Sequence, residues 1–591
     1  MKINKQKLEL TWIGKQDKPK LEARILIEDP EKSYGDKNTE NKLIHGDNLL
    51  SLRALEQNYS DRIKCIYIDP PFNTGSAFDH YDDTLEHSIW LSLMQSRFEI
   101  FRKLLRDDGV LFLHLDDSEM AYAKVLLDEI FGRKNYCNTI TLTTNDPSGF
   151  KATGSTVFST ANYLLVYAKD KSKKPIEKVY IEKSYDKAYS KVLVDRSVNY
   201  QNWKWENISD VVGRELGFAS SREAKRELGD GFHTAIAKYA LDNADRVFRV
   251  AAIGGGAAIK RAETIKRSIQ NKDQVIIHPD EDVEDFYILN GGQILFYDKR
   301  LIEVDGKKLP GEVITDVWTD ISWTGIANEG GVEFKNGKKP ELLISRVLQM
   351  STKEGDWVLD SFLGSGTTAA VAQKLKRRWI GIEIGDHCDS HCLPRLKSVC
   401  NGSDNTGITK SISWTGGGGF KYYYLAPSLL QKDKRGNWII NKQYNATQLA
   451  AAMAKHEGFR FEPDDTYYWK QGKSTERDFI FTTTNFISVK LVDTIYSEMK
   501  NDESLLICCT SFSRAADKYP NITIKKIPKM LLGRCEFGKE DYSLNIVNVP
   551  TLSEEQEFIP KGPVKSSDKS KKRRTVSATD DLFSQEKGDR K

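Results

Sequence analysis

The chain has 591 residues, 29% charged and 39% hydrophobic, the composition of globular domains and not of a disordered or membrane-embedded chain. At this length about three or four domains of ordinary size are expected. Lys plus Arg is 88 against 84 Asp plus Glu, and the formal charge of +4 is too mild to indicate or exclude nucleic acid, which needs only a local basic surface. No stretch approaches the ~18 apolar residues of a membrane span. The opening MKINKQKLELTWIGKQDKPK lacks the apolar core of a signal peptide, so a cytoplasmic protein with no membrane partner is expected. Eight Cys are too few for a disulfide scaffold. His387, Cys388, His391 and Cys392 share helical spacing, but a closed zinc site draws on separated ligand pairs and no second pair is present. No metal is expected there.

Residues 1–40 are polar and mixed in charge and read as a lead-in. From Lys42 the pattern sharpens. Residues 63–68 (IKCIYI) read as a strand ending at Asp69. Residues 88–106 have helical apolar spacing in Ile89, Leu93, Phe98, Phe101 and Leu105. Residues 110–115 form a buried-strand run, 118–131 a helix closed by Gly132, and 163–167 another strand. Residues 171–315 break the pattern, with more charge and with helical stretches at 222–227 and 260–268. The series resumes near Pro340, with a helix over 341–350, a strand over 357–359 ending at Asp360, a helix over 367–375 and a strand over 379–382 ending at Glu383. Such alternation predicts an α/β doubly wound sheet in two pieces, 41–170 and 316–400, interrupted by an insertion. A different region covers 401–560. It opens with Gly416, Gly417, Gly418 and Gly419, read as a hinge. Residues 561–591, with Lys571, Lys572, Arg573 and Arg574, read as a disordered basic tail.

Two constellations carry chemistry. The first is Asp69-Pro70-Pro71-Phe72-Asn73-Thr74-Gly75, directly after a strand. An exocyclic base amine is a poor nucleophile because its lone pair is delocalised into the ring. Acceptors on both N–H groups push the nitrogen towards a tetrahedral form. Asp69 supplies one acceptor and a carbonyl of the Pro70-Pro71 pair the second, held rigid by two fixed φ angles. Phe72 offers a face for an extruded base. A strand-end turn is the alternative, against which stands its place at the carboxyl end of a buried strand. The second is Asp360-Ser361-Phe362-Leu363-Gly364-Ser365-Gly366-Thr367-Thr368, between a strand and a helix, with Glu383 ending the next strand, where a ribose-binding carboxylate is usual. Gly364 and Gly366 permit close backbone approach to a ligand. The third glycine of the dinucleotide fingerprint is missing. That suits S-adenosyl-L-methionine, which has a ribose and an amino acid but no phosphate, better than a nicotinamide cofactor. A third stretch, Gly149 to Gly154-Ser155-Thr156, has phosphate-loop spacing without the Lys and reads as a plain loop.

Together these motifs resemble the amino-methyltransferases of DNA. Asp69-Pro-Pro-Phe72 is similar to their D-P-P-Y/F motif and Phe362-Leu-Gly364-Ser-Gly366 to their F-x-G-x-G motif, in the beta-class order. His45-Gly46-Asp47-Asn48-Leu49, Tyr67 to Gly75, Val110 to Asp117, Lys339-Pro340-Glu341 and Gly381-Ile-Glu383 resemble the Mod subunit of type III restriction–modification systems. The resemblance implies a Rossmann-like, seven-stranded methyltransferase fold with a catalytic half (41–170), a target-recognition insertion (171–315), a cofactor half (316–400) and a C-terminal α+β region. It implies that Asp69, Pro70, Pro71 and Phe72 handle a flipped base, and that Asp360, Phe362, Gly364, Gly366, Thr367 and Glu383 hold S-adenosyl-L-methionine. Asp47 would contact the cofactor's adenine amino group, and Lys339-Pro340 would start a helix beside its methionine end. Implied partners are double-stranded DNA, a second copy in a homodimer and a restriction (Res) subunit. Asp at 69 favours adenine N6 over cytosine N4, and Phe72 stands where Tyr is commoner. A non-catalytic specificity subunit of the same fold is the alternative of another class. In the insertion, Arg222, Lys225, Arg226, Lys260, Arg261, Lys266 and Arg267 offer phosphate-binding charge, and Trp203-Lys204-Trp205 interleaves aromatic and basic character.

Overall fold

The fold is a computed structural model that describes residues 8–16, 20–72, 87–144, 157, 159–279, 286–304, 307–334 and 337–538. The Gly149–Thr156 stretch, the end of the first motif (Asn73, Thr74 and Gly75) and the basic tail lie outside the described residues. No described helix is long and apolar enough to cross a membrane.

The central element is a ten-stranded sheet in the order Leu26–Gly35, Gly419–Leu425, Lys42–His45, Arg378–Glu383, Trp357–Asp360, Ile63–Ile68, Leu105–Leu115, Ala161–Ala168, Tyr136–Thr143, Val317–Trp318. The six strands from Gly419–Leu425 to Leu105–Leu115 run parallel, whereas Ala161–Ala168 opposes both its neighbours. Helices cover both faces, as a parallel sheet requires. Ile66, Ile68, Leu111, Leu113 and Leu359 share one core with the helices Asn48–Tyr59, His87–Leu104 and Asp117–Leu127. Cys65, Tyr67, Val110, Phe112 and Val358 share the other with Glu341–Ser351, Thr367–Lys374 and Leu393–Asn401. Strand periodicity of two thus divides each buried strand between two hydrophobic layers. Every residue of Ile63–Ile68 and of Trp357–Asp360 is buried.

The expected doubly wound α/β sheet is present, with ten strands in place of seven. Its first edge strand, Leu26–Gly35 (LIEDPEKSYG), comes from the segment read as a lead-in. It mixes charges without clean alternation and has an irregular register between Asp29 and Tyr34, so its pattern is weak. The strand beside it, Gly419–Leu425, comes from beyond residue 400. The glycine run before it does not act as a hinge. Gly416, Gly417 and Gly418 all have positive φ, and a Cβ on Gly419 would stand 2.4 Å from the Asp36 nitrogen, so the run packs the edge strand Leu26–Gly35 against the strand beside it.

The insertion is folded on its own terms. It carries a six-stranded sheet running from Lys191–Leu193 and Trp205–Asn207 to Gly292–Phe296, and a three-stranded one. The helices Ser221–Leu228, Gly255–Lys260 and Ala262–Gln270 cover the stretches predicted helical. The C-terminal region holds a five-stranded mixed sheet. Two of its parallel strands, Asp478–Thr483 and Ser504–Cys509, are joined through the helix Val489–Glu498, a βαβ unit.

Candidate active site

The two motifs, almost 300 residues apart in the chain, end neighbouring strands. Leu359 pairs with Ile66, so Asp360 and Asp69 both emerge at the carboxyl edge of the sheet. Ligands bind at this edge in open parallel sheets.

Around Asp69 the chain builds a small polar and aromatic pocket. The Asp69 side chain is 16% exposed and its Oδ2 forms an ion pair with Lys339 Nζ. The same ammonium lies 5.2 Å from the Phe72 ring centroid. Asp69 Oδ1 is buried and has no hydrogen-bond partner among the described residues. Burial pushes the Asp69 carboxyl above the usual range, and the Lys339 charge pulls it back in part. The Pro71 carbonyl accepts a hydrogen bond from Trp90 Nε1 at 2.9 Å, which ties the turn to the helix His87–Leu104. The Phe72 ring packs 5.6 Å from that of His114.

His114 was read only as part of a buried strand. It is fully buried, its Nε2 accepts from Asn162 Nδ2 at 3.2 Å, and its Nδ1 lies 2.9 Å from Tyr67 Oη and 3.8 Å from Asp69 Oδ1. Accepting at Nε2 leaves the ring proton on Nδ1, directed to Tyr67. Burial, then the Lys339 charge, hold its pKa well below the ordinary value, so the ring stays neutral. His114 is the penultimate residue of the strand Leu105–Leu115, and no spacing rule marks a histidine within a hydrophobic run as part of a site.

The second loop is held from below. Asp360 Oδ1 accepts from the Phe362 N–H at 2.9 Å and Oδ2 from Thr368 Oγ1 at 2.6 Å. Burial, with the nearby Asp69 and Glu383 charges, pushes Asp360 up to about 7 despite these bonds. Glu383 Oε2 accepts from the Gly364 N–H at 2.7 Å, and its Oε1 from the Ile384 and Gly385 N–H groups at 2.8 and 3.0 Å. Gly364 and Gly366 have φ of +57° and +83°. Among the described residues nothing stands within 4 Å of a Cβ built on Gly364, whereas one on Gly366 would meet Cys392 Cα at 3.5 Å. Gly366 therefore serves helix packing and Gly364 faces open space. Beneath the loop, Arg395 Nη1 donates to Thr367 Oγ1 at 2.8 Å, and its Nη2 pairs with Glu341 at 2.9 Å. Glu341 also binds Lys374 at 2.6 Å, and all three side chains are fully buried. A second brace was also unmarked in the sequence: Arg97 Nε donates to Asn48 Oδ1 at 2.7 Å, and Asn48 Nδ2 to the Ser361 carbonyl at 2.9 Å.

Three expected cofactor contacts sit differently. Lys339 reaches Asp69, because Pro340 turns the chain at the N-cap of Glu341–Ser351 beside the first motif. The Thr367 hydroxyl is buried on Arg395. Asp47 lies beside Glu383, whose carbonyl accepts from the Gly46 N–H at 2.9 Å, but its Oδ1 caps the helix Asn48–Tyr59 through the Leu50 N–H at 2.8 Å. Phe362 is buried and packs in the first core, with the Arg97 guanidinium 6.0 Å from its ring.

The four His and Cys side chains with helical spacing at 387–392 each have a different neighbour. His387 Nε2 lies 3.0 Å from Glu383 Oε1, His391 Nε2 lies 3.0 Å from the Glu333 carbonyl, Cys392 Sγ 3.0 Å from the Gly364 carbonyl, and Cys388 Sγ 3.8 Å from Tyr422 Oη.

This arrangement coincides with a known family profile, that of the DNA methylases, which matches residues 63–241 and 259–389. The chain belongs to the DNA methylase family. Among its relatives is the probable HindVI Mod subunit of a type III restriction–modification enzyme from Haemophilus influenzae, 35% identical over 416 residues, 66% of this chain and 54% of the relative. The EcoPI Mod subunit of Escherichia phage P1 is 25% identical over 446 residues, 64% of this chain and 62% of its own length. The matches thus span little more than half of these relatives. Among solved structures, the cytosine-N4-specific PvuII DNA methyltransferase superposes with a TM-score of 0.30 at 13% identity, over 64% of this chain and 91% of its own. Likeness at that level bears on neither substrate nor mechanism.

In this DNA methylase the insertion divides its basic and aromatic residues between surface and core. Arg222, Lys225, Arg226, Lys260, Lys266, Arg267 and Lys204 are exposed. Trp203 is buried against Tyr287 and Phe296, 4.8 and 5.9 Å between ring centroids, and Arg261 is buried 4.1 Å from the Phe286 ring. Those two are core residues.

Proposed function

We propose that the chain is an S-adenosyl-L-methionine-dependent methyltransferase that methylates adenine N6 in double-stranded DNA, as the modification subunit of a type III restriction–modification system. The observation that carries this reading is the pairing of Leu359 with Ile66, which sets the Asp360–Gly366 loop beside Asp69 and Phe72.

The residues present fit the cofactor. A Cβ on Gly364 would meet nothing within 4 Å among the described residues, and the buried Asp360 and Glu383 carboxylates hold the loop beside it. Ribose hydroxyls are donors and a carboxylate oxygen can accept two hydrogen bonds, so Glu383 would hold the ribose while Asp360 shapes the loop. S-adenosyl-L-methionine supplies an electrophilic methyl group on a sulfonium centre. The remaining work falls to this chain. Asp69 Oδ1, buried without a partner among the described residues, would accept one amine N–H. With the Pro71 carbonyl engaged by Trp90, the Pro70 carbonyl would accept the other. Phe72 would stack on the base. Methyl transfer would exchange the sulfonium S–C bond for an N–C bond and release the thioether S-adenosyl-L-homocysteine, and the Asp69 carboxylate, whose ionised form the Lys339 charge favours, would take the surplus amine proton. The neutral His114 offers Asp69 no competing charge.

The exposed basic residues of the insertion support its role as the DNA-reading part. That two relatives are Mod subunits of type III restriction–modification enzymes supports work with a restriction (Res) subunit, and the proposal extends to a homodimer on the family resemblance alone. The test is incubation with labelled S-adenosyl-L-methionine and duplex DNA, followed by digestion to nucleosides. Label in N6-methyladenine supports the reading. Label only in N4-methylcytosine overturns the base assignment, and no label in any base overturns the activity.

A further inference from the structure

Most buried indoles of this fold find acceptors. Trp90 Nε1 donates to the Pro71 carbonyl, Trp318 Nε1 to the Thr315 carbonyl at 2.7 Å and Trp379 Nε1 to Gln373 Oε1 at 2.9 Å. Trp323 Nε1 is shielded from solvent and has no partner among the described residues. Trp357 Nε1 shares that state, but it begins its strand, at the sheet edge opposite the site, under the Arg378 guanidinium at 4.8 Å. Trp323 is placed differently. It follows the edge strand Val317–Trp318, and its ring lies 6.1 Å from that of His114 in an edge arrangement at 70°. Another ring neighbour of His114 is Phe72, at 5.6 Å, and His114 Nδ1 lies 3.8 Å from Asp69 Oδ1, which is likewise buried and without a partner among the described residues.

Leaving buried donors or acceptors unmade is costly, and in native proteins such groups are rare. Here one such acceptor and one such donor both neighbour a single histidine whose own nitrogens are occupied by Tyr67 and Asn162. We infer that the Trp323 indole N–H is a base-reading donor, taking a ring nitrogen next to the amine that Asp69 accepts. An amine beside a ring nitrogen presents a donor next to an acceptor, the complement of Asp69 Oδ1 and Trp323 Nε1. In adenine that nitrogen is N1 or N7. Trp323 would then select for the base edge as well as wall the pocket. This inference rests on the proposed methyltransferase reading.

The test uses the full chain and duplexes carrying adenine, 1-deazaadenine or 7-deazaadenine at the methylated position, with Trp323→Phe keeping a ring and deleting the N–H. Wild-type transfer to none of the duplexes overturns the methyltransferase reading and this inference with it. With wild type active, Trp323→Phe is expected to lower kcat/KM on adenine by about 10-fold, the worth of one buried hydrogen bond. On one of the two deaza bases, variant and wild type should be equal, because that base has lost the acceptor. An equal loss on all three duplexes would assign Trp323 to stacking or folding and overturn the inference, as would no loss on adenine. Thermal stabilisation by S-adenosylhomocysteine, unchanged in Trp323→Phe, is the expected sign that the variant is folded with its cofactor site intact. Loss of that stabilisation would assign Trp323 to the structure of the cofactor site and overturn the inference.

Discussion

Lys339 Nζ is ion-paired with Asp69 Oδ2, above the face of Phe72. A buried carboxylate with no compensating charge would take up a proton near neutral pH, and a protonated Asp69 cannot accept the amine proton. Burial raises the Asp69 pKa and Lys339 lowers it. Methyl transfer should therefore fail as pH falls through the Asp69 pKa. In Lys339→Met the opposing charge is gone, and the acid limb of the pH–rate profile should move upward by about 1–3 pH units. Lys339→Arg should restore it. An unmoved limb together with weakened cofactor binding would instead place Lys339 with the cofactor.

Much of the site was legible because both motifs lie at strand ends, where turn chemistry and ligand chemistry concentrate. Strand 63–68 and strand 357–359 were visible as short apolar runs, and the Asp69 and Asp360 loops followed from them. That the two strands pair is a long-range fact, set by how helices from the two halves of the chain cover opposite faces. Lys339, assigned by resemblance to the cofactor, shows the same limit: its partner lies 270 residues away. His114 and Arg97 sit in an apolar run and a helix as ordinary core residues would, and Trp323 is a lone indole in a polar loop that carries no motif. The edge strand Leu26–Gly35 escaped because an edge with solvent on one side need not alternate cleanly.

The two glycines of the second loop should separate in behaviour. Gly366→Ala places a Cβ 3.5 Å from Cys392 Cα at φ +83°, and should cost about 1–2 kcal/mol of stability. Gly364→Ala carries similar left-handed strain at φ +57°, with nothing within 4 Å of its Cβ among the described residues. It should lower the melting temperature by a similar amount, yet it alone should remove much of the stabilisation by S-adenosylhomocysteine in thermal melts.

Glu341 answers both Arg395 and Lys374 in a fully buried cluster. Glu341→Ala would leave Arg395 without a carboxylate and deprive the Ile408 N–H of its acceptor. Denaturant unfolding should show a loss of about 3–5 kcal/mol. The Thr367 end of the cofactor loop, anchored on Arg395, should loosen with it.

Asp360 gives a pH dependence of stability with a defined sign. Its folded-state pKa is raised from 3.8 to about 7, chiefly by burial. Between those values the folded chain binds more protons at this group than the unfolded chain, so this group's contribution to stability declines as pH rises. Relative to Asp360→Asn, the wild type should be favoured more at pH 4 than at pH 7, measured by melting temperature in the absence of cofactor.

The central claim is that Asp69 activates an adenine amine for methylation. It is tested most directly by nucleoside mass spectrometry of DNA from cells expressing wild type or Asp69→Ala, with cofactor binding of both purified proteins measured in parallel. The expected result is N6-methyladenine with wild type, none above background with the variant, and comparable cofactor binding by both. Equal N6-methyladenine from the two chains, or methylation of no base by wild type, would contradict it.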